Sequence, residues 1–314
     1  MKVISTFAGC GGSSLGYKMA GCEVVAAVEW DDHAVQCYRL NHPTTHVHHG
    51  DIAKVDGAAL LAAVGLAVGD LDVLDGSPPC QGFSTAGKRQ LDDPRNSLFK
   101  QQLRLIDEMR PRNVVIENVS GMVKGKMRGV AAEIVRELRD RGYAVAAGVL
   151  NAKYFGVAQA RERVFFIGSR VGQPVLPPAQ THPRSCRSAL AGVEPDEVIA
   201  PIAKSERLLA NRLRVGENGA AMLERLGRKP NWFSVAQLDP SKPAPTIIKC
   251  GGRTSTGLWH WERRRLTIRE ALVLQGFPPD YQLPGTFTQR WARIGNSVCP
   301  PVTCAIAKQL QKLG

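Results

Sequence analysis

A doubly wound, mostly parallel α/β sheet, followed by a smaller, irregular and basic second domain, is the architecture this sequence predicts. Three observations predict it. Strand-like and helix-like segments alternate through residues 1–170. The first strand runs into a glycine-rich turn and then a helix, as in nucleotide-binding folds. The alternation stops at a proline-rich break, Gln173-Pro174-Val175-Leu176-Pro177-Pro178.

Taken in order, strands are expected at 3–7, 23–28, 46–48, 71–74, 113–116, 144–149 and 164–167. Helices are expected at 13–20, 34–41, 58–64, 97–109 and 130–141. The last puts Val130, Ile134, Val135 and Leu138 on one face and Glu/Arg pairs on the other. From 178 to about 263 regular alternation is lost, and Gly251-Gly252 and Gly257 read as exposed loops. Residues 266–277 are helical until Gly276, and 305–313 form a short closing helix. Pro300-Pro301 read as a helix start.

The chain has 314 residues, 44% hydrophobic and 22% charged, the composition of a soluble globular protein. It lacks the run of about 18 apolar residues that a membrane span needs. Gly9 arrives too soon for a signal peptide, so a cytoplasmic location is expected. The eight cysteines form no C-x-x-C pair, and His46, His48 and His49 lack ligand spacing; neither a metal site nor a disulfide framework is expected. Charge is unevenly divided. Residues 1–170 carry 21 Lys/Arg against 18 Asp/Glu, whereas 171–314 carry 20 against 10. A polyanion bound mainly from the second part and a merely basic surface both fit that excess.

The motifs sharpen the picture. Phe7-Ala8-Gly9-Cys10-Gly11-Gly12 lets backbone approach a ligand closely. Glu29-Trp30 ends the next strand, where such folds place an acid for ribose hydroxyls and where an aromatic ring can stack on adenine. Asp51-Ile52 closes the third strand. The spacing is not G-x-G-x-x-G, so a mononucleoside cofactor fits better than a dinucleotide. Gly76-Ser77-Pro78-Pro79-Cys80-Gln81-Gly82-Phe83-Ser84 puts a thiol at the end of a strand; taken alone, Cys80 reads as an inert small hydrophobe before it reads as a nucleophile. Strand five ends in Glu117-Asn118-Val119, a surface acid or a functional one. Neighbouring strands four and five end on one rim, so Cys80 and Glu117 can share a pocket, a thiol with a carboxyl acid. Gln159-Ala160-Arg161-Glu162-Arg163 reads as extended chain, which would present Arg161 and Arg163 together, for salt bridging or for binding an anion or base edge.

In their order, FAGCGG, EW, DI, GSPPCQGFS, ENV, QARER, RRLTIRE–LQGFP and IGNSV resemble the DNA cytosine-5 methyltransferase family over residues 1–170 and 264–314. The resemblance implies an S-adenosylmethionine-dependent methyltransferase fold. It divides the chain into a catalytic domain, 1–171 with 286–314, and a target-recognition domain with hinge, 172–285. It further implies methyl transfer from S-adenosylmethionine to C5 of a flipped-out cytosine in a specific double-stranded DNA sequence, leaving S-adenosylhomocysteine. In these roles Cys80 adds to C6, Glu117 hydrogen-bonds N3 and the amine, Arg163 binds O2, and Arg161 shapes the pocket.

Cofactor contacts carried over are Phe7, Gly9, Gly11, Glu29, Trp30, Asp51, Ile52, Pro79, Leu98, Asn296 and Val298. DNA contacts are Gln81, Ser84, Lys88, Thr246, Gly251 and Gly252, with Ile247 standing where leucine is commoner. A monomer is expected, and a cognate restriction endonuclease acting on the same site is a possible companion. Two rivals stand beside this reading. A tRNA cytosine-5 methyltransferase shares the catalytic motifs, but its Cys-Phe-Thr motif is absent here. A catalytically silent DNA-binding relative would not need Cys80, Glu117 and Arg163 intact.

Overall fold

A computed structural model describes residues 1–79, 97–123, 128–196, 211–229, 235–249 and 257–313. Cys80, Gln81, Ser84, Lys88, Gly251 and Gly252 lie outside these described residues. Strands are β1 (Lys2–Thr6), β2 (Glu23–Glu29), β3 (His46–His49), β4 (Val73–Gly76), β5 (Asn113–Val119), β6 (Ala144–Asn151), β7 (Gln159–Ala160), β8 (Glu162–Ser169), β9 (Val235–Gln237), β10 (Ala244–Pro245) and β11 (Gly257–Trp259). Helices are α1 (Gly12–Met19), α2 (Asp32–Asn41), α3 (Gly57–Ala63), α4 (Ser97–Met109), α5 (Arg128–Asp140), α6 (Cys186–Leu190), α7 (Gly219–Arg225), α8 (Ile268–Gln275), α9 (Phe287–Asn296) and α10 (Pro300–Leu310).

The chain divides into two compact units. The first comprises Met1–Leu150, Glu162–Pro178 and Val302–Gly314. It holds a seven-stranded sheet in the order β3-β2-β1-β4-β5-β8-β6. The pairs β1–β2, β2–β3, β1–β4 and β4–β5 are parallel, and β5–β8 is antiparallel. The expected doubly wound, mostly parallel sheet is therefore present. From β1 the chain builds outward through β2 and β3, then returns to place β4 on the other side of β1. The carboxyl ends of β1 and β4 thus flank the switch point, where open α/β sheets bind their ligands.

The central strand β4 is buried at every position, as a parallel strand covered on both faces must be. Ile4, Leu74, Val114 and Ile116 of the sheet cluster with Leu60 and Leu61 of α3, Phe99, Leu103, Ile106 and Met109 of α4, and Ile134 and Leu138 of α5. Each such side chain contributes about 1.5–3 kcal/mol by leaving water. That core fixes the strand ends from which the loops of the site emerge.

The second unit comprises Asn151–Arg161 and Ala179–Pro301. Its strands are short parallel pairs, β7–β10 and β9–β11. Gly257, expected in a loop, begins β11. Packing groups 286–301 with this unit, because α9 lies against residues 248–249: Trp291 Nε1 donates to Ile248 O at 3.0 Å. No helix among the described residues is long and apolar enough to cross a membrane.

Candidate active site

The turn after β1 uses backbone conformations that most residues avoid. Phe7, Gly9 and Gly11 have φ of 52°, 57° and 95°, and Gly11 is the left-handed N-cap of α1. A Cβ on Gly9 would meet nothing within 4 Å, so the turn borders open space that a ligand can fill. Phe7 lacks that conformational freedom and is held by packing against the sheet core.

Glu29, at the end of β2, fastens the turn. Its Oε2 accepts from Gly9 N–H at 2.7 Å, and its Oε1 accepts from Trp30 and Asp31 N–H at 2.9 and 3.0 Å. A carboxylate offers about four acceptor positions, so about one is left for a ribose hydroxyl. The adjacent Trp30 is 75% exposed, a large apolar face available for stacking.

Asp51 is exposed and caps the short helical turn Ile52–Lys54 by accepting from Ala53 N–H at 3.0 Å. The sequence reading put Asp51 and Ile52 at the close of the third strand; β3 instead ends at His49, and Asp51 begins the next turn. Ile52 is buried in the core, with half-buried Leu98 packed on the same cluster. Arg104 of α4 holds this turn, donating to Ile52 O and Val55 O at 2.9 and 2.8 Å. An open glycine turn, a carboxylate with a spare acceptor and an exposed indole suit an adenosine.

Across the switch point, β5 carries Glu117. Glu117 Oε1 pairs with Arg163 Nε at 3.0 Å, the two side chains being 12% and 20% exposed. The antiparallel register sets this up, aligning Val119 with Arg163 and Glu117 with Phe165. Arg163 Nη1 also donates to Glu162 O at 2.7 Å. A second carboxylate oxygen and further guanidinium N–H groups are left for hydrogen bonding. The next residue, Asn118, is buried, and its Nδ2 donates to Pro78 O at 3.0 Å. Strand β5 therefore anchors the chain two residues before Cys80, through the neighbour of Glu117. Pro79 is exposed.

Arg161 and Arg163 are not presented together as a continuous strand would require. The chain breaks at Arg161, between β7 and β8, where Arg161 N–H donates to Gln159 O at 3.0 Å. That break resets the alternation. Arg161 is 3% exposed and belongs to the second unit, where its Nη1 and Nη2 donate to Ile247 O and Gly295 O, each at 2.9 Å. The Thr246 hydroxyl donates to Ala160 O at 3.0 Å.

A buried amide chain ties three motifs of this unit together. Gln159 Oε1 accepts from Ile247 N–H at 3.0 Å, Gln159 Nε2 donates to Gln275 Oε1 at 2.6 Å, and Gln275 Nε2 donates to Ser297 O at 2.8 Å. Asn296 is exposed and Val298 buried on either side of that anchored carbonyl.

Sequence reasoning missed Asn118, Gln159, Gln275 and Asp75. The first three stand inside motifs already singled out, where other residues carried the reading. Asp75 stands five residues before Cys80 in an apolar strand, a place where a carboxylate has to find buried partners.

Comparison with known proteins adds to this geometry. A sequence model for "C-5 cytosine-specific DNA methylase" matches residues 1–312. The Type II methyltransferase M.NgoPII of Neisseria gonorrhoeae is 31% identical over 345 residues, spanning 99% of this chain and 96% of that protein. A solved putative DNA modification methyltransferase encoded within an E. coli prophage shares the fold at TM-score 0.77 and 26% identity, covering 100% of this chain and 99% of that one. Spodoptera frugiperda DNMT2, at TM-score 0.73 and 20% identity over 99% of each chain, shows likeness of fold alone.

Proposed function

The chain belongs to the C-5 cytosine-specific DNA methylase family, and from that premise we propose that it methylates C5 of a flipped-out cytosine in double-stranded DNA through a covalent Cys80–C6 adduct. The observation that supports this reading is the Glu117–Arg163 ion pair, one residue along β5 from Asn118, whose side chain holds the Pro78 carbonyl two residues before Cys80 in the chain.

Cytosine C5 is a weak carbon nucleophile. Addition of the Cys80 thiolate to C6 makes C5 enamine-like, and Glu117 stabilises the charge that develops by hydrogen bonding to N3 and the exocyclic amine. Arg163 holds O2 and, through its ion pair, orients Glu117. S-adenosylmethionine, when bound, supplies an electrophilic methyl group. Loss of the C5 proton and elimination of the thiol then release 5-methylcytosine and the free enzyme. Flipping the base out of the duplex costs a few kcal/mol in lost stacking.

Phe7, Gly9, Gly11, Glu29, Trp30, Asp51, Ile52, Pro79 and Leu98 would hold the cofactor; Asn296 and Val298 are carried over by motif alone. Arg161, with its guanidinium on two backbone carbonyls, would shape the pocket by holding main chain. Residues 1–171 with 286–314 are assigned to catalysis and 172–285 to target recognition, on motif order and on the basic excess of the second part. Gln81, Ser84, Lys88, Thr246, Gly251 and Gly252 are the DNA contacts of that assignment. The same reading makes the protein a monomeric cytoplasmic enzyme with a restriction endonuclease as possible companion.

The test is a pair of measurements on Cys80→Ser. The variant should bind duplex DNA as the parent does, yet transfer no methyl group and form no adduct with duplex carrying 5-fluorocytosine, which traps the parent. Full methylation by the variant would sink the mechanism.

A further inference from the structure

Asp75 takes no part in the chemistry above. It lies at the end of β4, opposite Ser5 of β1, and is 3% exposed. Its Oδ2 accepts from Ser13 Oγ at 2.7 Å and from Ser5 Oγ at 3.1 Å, and its Oδ1 from Tyr17 OH at 3.3 Å. Thr6 Oγ1 donates to its backbone carbonyl at 2.9 Å. Among the described residues the side-chain partners are all neutral hydroxyls, with no cation to offset the desolvation of a buried charge, and an amide of the same shape would be cheaper to bury.

What the charge holds is specific. Ser13 and Tyr17 stand four residues apart on one face of α1, so one carboxylate grips its first two turns. The turn at residues 7–12 is then fastened at both ends, by Glu29 through Gly9 and by Asp75 through Ser13.

We propose that Asp75 is a positioning residue for the cofactor: its carboxylate fixes the start of α1 and with it the glycine turn, so affinity for S-adenosylmethionine follows the charge on Asp75. This rests on the cofactor reading given above. Burial raises Asp75 to about 6, which puts its charge within an accessible pH range. The ionisable groups facing it are Tyr17 of α1, Tyr38 of α2 and Glu117 of β5. Burial pushes both tyrosines up, so they stay neutral, while the Glu117 charge adds to the rise of Asp75. Strand β1 and helix α4 bring the neutral Ser5, Thr6 and Gln102. A proton on Oδ2 removes the charge that draws both serine hydroxyls and makes one of them rotate to accept, so two charge-assisted bonds become weaker neutral ones and the grip on α1 loosens.

The experiment is calorimetric titration of S-adenosylhomocysteine into the full chain between pH 5 and 8, for the parent, Asp75→Asn and Ser13→Ala. Parent affinity should fall about tenfold from pH 7.5 to pH 5. Asp75→Asn should bind about tenfold more weakly at pH 7.5, with a flat profile, and Ser13→Ala should be weakened at pH 7.5 as well. Parent-like affinity and pH profile in Asp75→Asn would overturn the proposal. If circular dichroism shows that variant unfolded, parent-like affinity in Ser13→Ala overturns it instead. A parent protein that does not bind the product at any pH overturns the cofactor reading itself, and this proposal with it.

Discussion

Asp75 and Glu270 are buried carboxylates, 3% and 2% exposed, and acid acts on them in opposite directions. Burial pushes Glu270 up, but hydrogen bonds from Arg264, at 2.6 and 2.9 Å, and from Thr267 N–H outweigh it and leave the group below its ordinary value. Its contribution is present above the unfolded carboxylate range and is lost as pH falls through the folded value. Asp75, held by hydroxyls alone, is raised from 3.8 to about 6. The native state therefore binds its proton more tightly than the unfolded chain does, and stability from this group falls as pH rises from about 4 to about 6. A shift of that size is worth on the order of 3 kcal/mol. Asp75→Asn removes the titration, so its unfolding free energy should gain on the parent by roughly that amount between pH 4 and pH 7. Urea unfolding of both proteins across that range checks it; parallel stability curves would show that the Asp75 charge is not the titrating group.

Elements were legible where their patterns were local. Strands β1 to β5 and helices α1 to α5 follow from apolar runs, glycine turns and amphipathic spacing, each of which acts within a few residues. Pro300 does start α10, as the fixed φ of proline at a helix entrance leads one to expect. Helix α9 was missed. Its boundary is a capping box at Thr286 and Gln289, and its buried positions Trp291, Ile294 and Gly295 are few and partly small. The reason for Gly295 is tertiary: a Cβ there would lie 2.5 Å from Lys249 N and 2.6 Å from the Ile248 carbonyl carbon. Arg161 and Arg163 do not share a face for a related reason, since a one-residue break between two strands resets the faces beyond it. Gly295→Ala should therefore force α9 away from residues 248–249 and strain the Arg161 and Trp291 hydrogen bonds, costing about 2 kcal/mol. Gly129→Ala on α5, where a Cβ meets nothing within 4 Å, should be neutral or slightly stabilising. Thermal unfolding of the two variants separates the cases, and equal midpoints would contradict the close approach.

For the whole molecule, family membership was legible because the motifs stand in order along the chain, and the proposed catalytic residues follow from those motifs, whereas target recognition was not legible. The order of side chains along 172–285 does not reveal which of them meet base edges, because that pairing depends on how an irregular chain is folded and on groove geometry. Charge survives this loss of detail. Residues 171–314 hold twice as many Lys/Arg as Asp/Glu, 20 against 10, while 1–170 are nearly balanced at 21 against 18. Arg228 and Lys229 of this part are exposed. If duplex DNA is bound through this excess, each neutralised phosphate releases counterions, and a fourfold rise in salt weakens binding roughly 3.5-fold per contact. Four contacts already give a loss on the order of a hundredfold between 50 and 200 mM salt. If S-adenosylhomocysteine is bound at the glycine turn as proposed, its affinity should change little over the same range. Fluorescence anisotropy with a labelled duplex, set beside calorimetry with the cofactor product, measures both. A DNA affinity that barely moves with salt would mean that the basic half of the chain is surface charge and that the duplex is held by other contacts.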